Sequence, residues 1–254
     1  MELYILLILS GVFAGFIGTL AGLGAAISLY LLLDFFQLDP LTASATMRVG
    51  VLAMAVMAIP PFYNNKKLHL ESSKFLVLAI SLGSTAGFIT VNHVDPSASK
   101  VMFKYLLPVL LVLVIANPKK LIENTGTTLL LNQWIGIPFF LILGFYAGFI
   151  QIGTGIIIVV FLSLAGKLSL VDATGIKILC FAAYTSVGVI IFAYFGKINW
   201  LYGIILAIGQ GIGGFLAAKF ANSYANANKY VRQLLIFMLL TAIIRMFELY
   251  KLFV

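Results

Sequence analysis

Long stretches without a charged residue are the feature that most limits how this chain can fold. The first runs from Leu3 to Leu33, and the longest runs from Asn124 to Gly166. About 20 apolar residues are enough for one helix to cross the hydrocarbon core of a bilayer. Because 62% of the residues are hydrophobic and only 9% are charged, the sequence has too little polar surface for a water-facing globule. We therefore expect the solvent of most of this chain to be lipid.

The charge-free stretches predict an all-α integral membrane protein with about eight to ten membrane helices. Short polar segments separate the stretches, and no long water-soluble domain fits beside them. The N-terminal stretch is expected to be mature membrane structure, with a signal peptide as the alternative. The stretches are Leu3–Leu33, Val49–Asn65, Phe75–Val94, Tyr105–Pro118, Asn124–Gly166, Ile178–Gly196, Ile198–Ala218 and Gln233–Ile244.

The formal net charge of +8 has a simple explanation in a membrane protein. Loops on the cytoplasmic side of a membrane carry an excess of lysine and arginine. We therefore expect membrane lipid, and no nucleic acid, beside these basic residues. Cys180 is the single cysteine, so an intramolecular disulfide is excluded. His69 and His93 lie in predicted loops on opposite sides of the membrane, and no metal or other cofactor is predicted.

The chain contains an internal duplication. Gly11–Ile17 (GVFAGFI) matches Gly144–Ile150 (GFYAGFI), and further along the chain Lys67–Leu68 corresponds to Lys197–Ile198. The motifs keep the same order in both halves, which a chance match at one motif does not explain. The sequence therefore predicts a single transmembrane domain made of two repeats, with residues 1–120 as the first and residues 121–254 as the second.

The order of segments also indicates how the two repeats are oriented. Each half reads as a broken, glycine-rich opening hairpin followed by three longer helices. An odd number of crossings, or a re-entrant hairpin plus three crossings, turns the second half upside down in the membrane. Many secondary transporters are built from such inverted-topology repeats. We therefore predict two inverted repeats.

Glycine-rich breaks lie at equivalent places in the two halves. Residues 18–24 read GTLAGLG and residues 151–155 read QIGTG. Helix ends at such breaks offer N–H groups and positive dipole ends to an anion, and irregular backbone at membrane depth is tolerated around a cavity or inside protein. Close packing of helices through small residues is the alternative. The matched copies favour a substrate site, with Thr19, Gly22, Gly24, Gln151, Gly153, Thr154 and Gly155 as its candidate residues.

Polar residues also lie at the entry to the third helix of each half. Arg48 and Lys177 are cations next to apolar runs, so they need a partner or must reach the interface. Together they are predicted to neutralise an anionic substrate, and snorkelling to lipid headgroups is the alternative for each. Asp172 is expected to cap the N-terminus of its helix. The remaining substrate-binding candidates in these segments are Ser44, Thr46 and Thr174.

The tyrosines and tryptophans of the chain are expected to anchor it at the membrane interfaces. All the carboxylates that precede the C-terminal region lie near segment ends, so the sequence offers no obvious carboxylate proton relay of the kind found in coupled carriers. Uncoupled movement of an anion is therefore a serious alternative to coupled transport. An enzyme is not expected, because the sequence lacks a nucleophile, a metal set or a central acid–base pair.

The first break and the residues after it resemble a known family. The segment Gly15–Gly24, the downstream Ala43–Thr46 and their partial repetition at Gly148–Gly155 are similar to the TauE/SafE sulfite-exporter family, and the resemblance extends over nearly the whole chain. It implies a multi-pass protein of the bacterial inner membrane that exports a sulfur-containing anion, such as sulfite, thiosulfate or an organosulfonate like sulfoacetate. An anion channel, or a carrier of a non-sulfur organic anion, is the alternative. A homodimer is compatible with the sequence.

Overall fold

The computed structural model describes residues 2–91, 129, 131–223, 229, 230, 233, 236 and 237. Regular secondary structure in these residues is helical, without a strand. The predicted segment Tyr105–Pro118 and most of Gln233–Ile244 lie outside the described residues. The helices are α1 (Glu2–Ala21), α2 (Gly24–Asp34), α3 (Pro40–Asn64), α4 (Leu70–Val91), α5 (Gln133–Phe149), α6 (Thr154–Leu164), α7 (Leu170–Tyr194) and α8 (Trp200–Ser223).

Five of the described helices are long and apolar enough to cross a membrane: α1 (from Leu3), α3, α4, α7 and α8. The three others, α2, α5 and α6, are apolar but shorter. Large hydrophobic side chains such as Leu9, Ile142 and Ile190 are exposed on the outside of the bundle, where a bilayer would cover them. The prediction of an all-α, multi-pass membrane protein is confirmed.

Both predicted breaks are present as interruptions between two helices. In the first, α1 ends at Ala21 and α2 begins at Gly24. Gly22 has φ +81°, a left-handed conformation that is costly for residues with a Cβ atom. In the second, α5 and α6 are separated by residues 150–153, and both Gln151 (φ 65°) and Gly153 (φ 78°) are left-handed. We call residues 22–23 the first hairpin tip and residues 150–153 the second hairpin tip.

Each opening unit is a helical hairpin that folds back on itself. Gly24, at the start of α2, packs against Gly18 and the carbonyl of Ala14 in α1. In the second unit, Phe161 near the end of α6 stacks on Phe139 near the start of α5, with 3.7 Å between ring centroids. The chain therefore turns back at each tip instead of continuing along one helix axis.

Helices with the same place in the two halves have matching lengths. The return helices α2 and α6 have 11 residues each, and α3 and α7 have 25 residues each. These lengths support the predicted duplication. Its boundary at residues 120 and 121 lies outside the described residues, so the division into two repeats stays a prediction.

The equivalent helices α3 and α7 run in opposite directions. Phe62, near the end of α3, packs beside Gly175 near the start of α7. The guanidinium carbon of Arg48, near the start of α3, lies 5.3 Å from the ring centroid of Phe192 near the end of α7. An inverted repeat requires this antiparallel arrangement. The inversion of the complete halves stays a prediction, because residues 92–128 and most residues after 223 lie outside the described part of the chain.

Glycines bring helices of the two halves into backbone contact. A Cβ atom on Gly213 of α8 would lie 2.0 Å from the carbonyl oxygen of Val12 in α1. In the same way, a Cβ atom on Gly83 of α4 would lie 2.0 Å from the carbonyl oxygen of Leu141 in α5. Close approach through small residues is the usual way to pack membrane helices. The pairs α1–α8 and α4–α5 therefore join the first half to the second twice, through equivalent contacts.

The loop between α3 and α4 is tied to the start of α7 by a buried carboxylate. Asp172 pairs with Lys67 (Nζ–Oδ2 2.8 Å) and with His69 (Nε2–Oδ1 2.7 Å). The N-cap of α7 is Ser169, whose side chain accepts a hydrogen bond from the backbone N–H of Asp172. The predicted capping role of Asp172 is therefore wrong: it lies in the first turn of α7 and uses its carboxylate to hold a loop of the first half.

The glycine contacts predict a sharp difference between two positions of α8. Replacing Gly213 with Ala should lower the free energy of unfolding by about 1–3 kcal/mol, because the new methyl group meets the backbone of α1. Gly211→Ala is the matched control, since the nearest atom there, at 3.3 Å, belongs to the flexible side chain of Met57. Thermal unfolding of both variants in detergent checks this, and equal unfolding temperatures would show that the close α1–α8 contact does not stabilise the bundle.

Candidate functional site

The two hairpins meet at their interrupted ends. A Cβ atom on Gly22, in the first hairpin tip, would lie 2.5 Å from the carbonyl carbon of Gly155 in the first turn of α6. A Cβ atom on Gly155 would lie 2.6 Å from the Cα atom of Gly22. Such distances leave room only for glycine at both positions. The sequence predicted both breaks, and the structure brings them into direct contact.

Arg48, in the first half, caps the C-terminal end of α5, a helix of the second half. Its side chain is fully buried, and its guanidinium donates hydrogen bonds to the carbonyl oxygens of Ala147 (Nη1–O 3.3 Å) and Gly148 (Nη2–O 2.9 Å). These carbonyls belong to the last turn of α5, where carbonyl oxygens have no partner within the helix and carry a negative partial charge. The ring of Phe88 lies under the guanidinium at 4.7 Å, so the cation is enclosed.

Lys177, in the second half, caps the C-terminal end of α1, a helix of the first half. It is also fully buried, and its ammonium group donates hydrogen bonds to the carbonyl oxygens of Gly18, at 3.2 Å, and of Thr19. Both carbonyls lie in the last turn of α1. Each cation therefore caps a helix of the other half. Arg48 lies at the end of α5, before the second hairpin tip, and Lys177 lies at the end of α1, before the first hairpin tip. Among the described residues, neither one forms an ion pair with a carboxylate.

This geometry changes the interpretation of the two cations. Snorkelling to lipid headgroups is wrong for both, because Arg48 and Lys177 are buried against backbone carbonyls. They lie beside the tips, as a substrate-binding role requires. Yet half of their N–H donors already serve the helix ends, and direct binding of a substrate by these cations stays a prediction.

Several buried polar atoms near the tips have no hydrogen-bond partner among the described residues. They are the hydroxyls of Thr19 and Tyr184, Nε of Arg48 and both amide atoms of Gln151. Tyr184 faces the Gln151 amide and Arg48, although its hydroxyl is outside hydrogen-bonding geometry. Buried polar groups in proteins are nearly always paired. This group of atoms therefore has the character of a small binding site for a polar ligand or water.

Sequence reasoning missed Tyr184. Tyrosines were assigned to the membrane interfaces, but Tyr184 is fully buried in the middle of α7. Its position relative to Lys177 and Phe181 was the available signal, because residues at i, i+4 and i+7 share one helical face. A tyrosine on the same face as a buried lysine, far from both ends of a membrane helix, does not fit an interfacial anchor.

Other predicted residues at the breaks shape the backbone. Gly24 begins α2 against Ala14, and Gly153 is the left-handed N-cap of α6. The hydroxyl of Thr154 donates to the carbonyl oxygen of Gln151 at 2.8 Å. These three residues therefore hold the tips in their bent conformation.

The hydroxyl candidates outside the breaks have internal contacts instead. Thr174 donates to the carbonyl oxygen of Leu170 in its own helix at 2.7 Å. Thr46 accepts a hydrogen bond from the backbone N–H of Asn199, before α8, at 3.0 Å. Ser44 is half-buried in the first turns of α3. Nothing in their contacts joins them to the tips, and their predicted role in substrate binding stays untested.

The fold and the site together define a class of protein. A helical membrane bundle in which two broken hairpins meet inside the protein, beside buried cations, has the organisation of a secondary transporter. The chain belongs to the sulfite exporter TauE/SafE family, whose model matches residues 7–246. This match confirms the family expected from the resemblance.

Curated relatives from bacteria cover most of the chain. The probable membrane transporter protein YfcA of Escherichia coli K12 is 26% identical over 228 residues, which are 88% of this chain and 81% of that protein. A probable membrane transporter protein of Haemophilus influenzae is 28% identical over 228 residues (86% and 85%). The probable membrane transporter protein ORF9 of a Sinorhizobium species is 24% identical over 237 residues (92% and 88%). No solved structure matches the chain. The protein is thus a multi-pass bacterial membrane transporter, which is consistent with the expectation that it is not an enzyme.

The capping role of Lys177 predicts that its removal will destabilise the protein. Replacing Lys177 with Met should lower the free energy of unfolding by about 1–3 kcal/mol, because it leaves the buried carbonyl oxygen of Thr19 without a donor. The carbonyl oxygen of Gly18 keeps its hydrogen bond from the backbone N–H of Gly22 at 3.0 Å. Lys74→Met is the control, since Lys74 pairs with Glu71 on the exposed surface and such pairs contribute about 0–1 kcal/mol. Thermal unfolding in detergent separates the two, and a Lys177→Met protein as stable as the control would rule out the capping role.

Proposed function

We propose that this transporter exports a small sulfur-containing anion, such as sulfite, thiosulfate or an organosulfonate like sulfoacetate, across the bacterial inner membrane. The family description, a sulfite exporter, supports the class of substrate. The observation that carries the proposal is the contact of Gly22 with Gly155, flanked by Arg48 and Lys177 without a carboxylate partner in the described residues.

The electrostatics of this arrangement favour an anion. A helix C-terminus carries about half a negative charge, so the ends of α1 and α5 offset only part of the charge of a protonated cation. A dehydrated anion is costly to bury unless it finds compensating charge or hydrogen-bond donors. The region beside the tips offers both: partly compensated cations and the unpaired donors of Thr19, Gln151 and Tyr184.

Transport requires the tips to separate. The backbone contact between Gly22 and Gly155 leaves no space for an anion between them in this conformation. In transporters built from repeats, one part of the protein moves against the other around a fixed central site. We therefore place the anion beside the tips and assign their opening and closing to alternating access.

The membrane potential supplies a driving force for export. Each negative charge that leaves a cytoplasm at negative potential gains about 2.3 kcal/mol per 100 mV. In the described residues, the buried carboxylate of Asp172 is paired with Lys67 and His69 and is not free to relay protons through the site. These features support an exporter that does not need a coupled ion.

An anion channel and a carrier of a non-sulfur organic anion are the other candidates. The closed contact between the tips favours a carrier over a channel, because a channel needs a continuous path when it conducts. Whether the substrate is a sulfur-containing anion or another organic anion is decided by testing a panel of anions.

Flux through the purified protein in liposomes tests the proposal. Sulfite, thiosulfate and sulfoacetate should enter with saturable kinetics and show counterflow, whereas acetate and succinate should not. In detergent, the transported anion should raise the unfolding temperature, since a ligand at 100 times its Kd stabilises by about 2.7 kcal/mol. Flux without saturation or counterflow would indicate a channel, and selective stabilisation by a carboxylate would reject the sulfur-containing substrate.

A further inference from the structure

We propose that Tyr184 and Gln151, and not the two buried cations, make the direct contacts that determine which anions are accepted. This inference rests on the proposed function, because it concerns the same site beside the hairpin tips. It assigns the specificity of the site to a hydroxyl and an amide from the second half of the chain. The cations then supply positive potential and hold the helix ends.

Half of the N–H groups of the two cations are already used by the helix ends. Both terminal nitrogens of Arg48 donate to carbonyl oxygens at the end of α5, at 3.3 and 2.9 Å. The ammonium of Lys177 donates to two carbonyl oxygens at the end of α1. An anion that took over these donors would deprive the carbonyl oxygens of Ala147, Gly148 and Thr19 of a cationic donor, at a cost comparable to the hydrogen bonds it gained. Nε of Arg48 has no partner among the described residues.

The neutral donors are available and held in place. The Tyr184 hydroxyl and the amide nitrogen of Gln151 are buried donors without a hydrogen bond in the described part of the chain, and the amide oxygen of Gln151 is an acceptor that also has no partner there. The Tyr184 ring packs edge-on against Phe181, with 5.5 Å between centroids, and Phe181 reaches Gly155 at the tip contact. Gln151 lies in the second hairpin tip itself, with a left-handed backbone. Both side chains are therefore fixed beside the point where the hairpins meet.

Tyr184 and Gln151 both belong to the second half, and the equivalent positions of the first half are apolar. Met54 occupies in α3 the place that Tyr184 occupies in α7, since each is 14 residues after the first residue of its helix (40 and 170). Its sulfur lies beside Gly18 in the first hairpin. Ala21 and Gln151 also have equivalent positions, because each lies three residues before the first residue of the return helix, α2 or α6. Tyr184 and Gln151 thus have apolar counterparts in the first half, whose own unpaired polar atoms near the tips, among the described residues, are the Thr19 hydroxyl and Nε of Arg48.

Neutral donors also suit a transporter that must release its cargo. A hydrogen bond from a neutral donor to an anion is charge-assisted, but it lacks the full charge–charge attraction of an ion pair between the anion and a buried cation. Sites that hydrogen-bond a ligand through a few fixed groups discriminate strongly against ligands that leave those groups unpaired. Tyr184 and Gln151 can therefore select an anion by the number and placement of its oxygens without holding it too tightly.

The experiment compares Tyr184→Phe with two controls in liposomes, using sulfite, thiosulfate and sulfoacetate as probes. Tyr184→Phe removes one oxygen atom and should raise the half-saturation concentration of the best transported probe about tenfold. It should also change the ranking of the three probes. Tyr146→Phe is the first control, because the Tyr146 hydroxyl donates to the carbonyl oxygen of Ile152 at 2.7 Å and is already used structurally. Met54→Leu, at the equivalent place in the other half, is the second control, and both should keep the wild-type ranking.

The outcomes separate the inference from the proposed function. A wild-type protein that transports none of the three probes rejects the proposed function. Transport by the wild type with an unchanged half-saturation concentration and ranking in Tyr184→Phe overturns the inference, as does a change in maximal rate alone. Should Tyr184→Phe not fold, Gln151→Met takes its place: a raised half-saturation concentration supports the inference, and an unchanged one overturns it.

Discussion

The contact between the two hairpin tips is the constraint on which the rest of this structure depends. Interrupting a helix inside a membrane protein leaves carbonyl oxygens without partners, and lipid cannot supply donors for them. The chain provides the donors from far away in sequence: Arg48 reaches the end of α5, and Lys177 reaches the end of α1. Burial of two cations is therefore a consequence of breaking two helices at the same place. Gly22 and Gly155 allow the broken ends to approach closely enough for both cations to reach them.

Neither half of the chain is complete without the other. The two capping cations are one link, and the backbone contacts of α1 with α8 and of α4 with α5 are another, since each joins a helix of the first half to one of the second. The carboxylate of Asp172 adds a third link by holding Lys67 and His69. The first and second links each consist of two equivalent contacts, whereas the carboxylate link joins the halves once.

The local features of the fold could be predicted from the sequence more fully than the contacts of the site. Charge-free lengths and clustered glycines were sufficient to predict the breaks near Gly22 and Gly153, because both signals act over a few residues. The same reasoning singled out Arg48 and Lys177 as unusual, but their partners are 99 and 159 positions away, and no local pattern shows which helix end they reach. Tyr184 was missed for a related reason. Its spacing from Lys177 is visible in the sequence, but the second hairpin tip that lies beside it is distant in sequence and not shown by any local pattern.

The choice of helix ends as partners for the buried cations has a consequence for the electrostatics of the site. A carboxylate carries a full negative charge and would cancel a neighbouring cation, leaving little attraction for a third charge. A helix C-terminus carries about half a charge, yet its carbonyl oxygens still satisfy the N–H donors that burial would leave unpaired. Arg48 and Lys177 can thus be stable inside the protein while the region between them keeps a positive potential. Such a region would attract an anion over a distance, and in the site that we propose the choice among anions would then depend on short-range contacts with the uncharged donors of Tyr184 and Gln151.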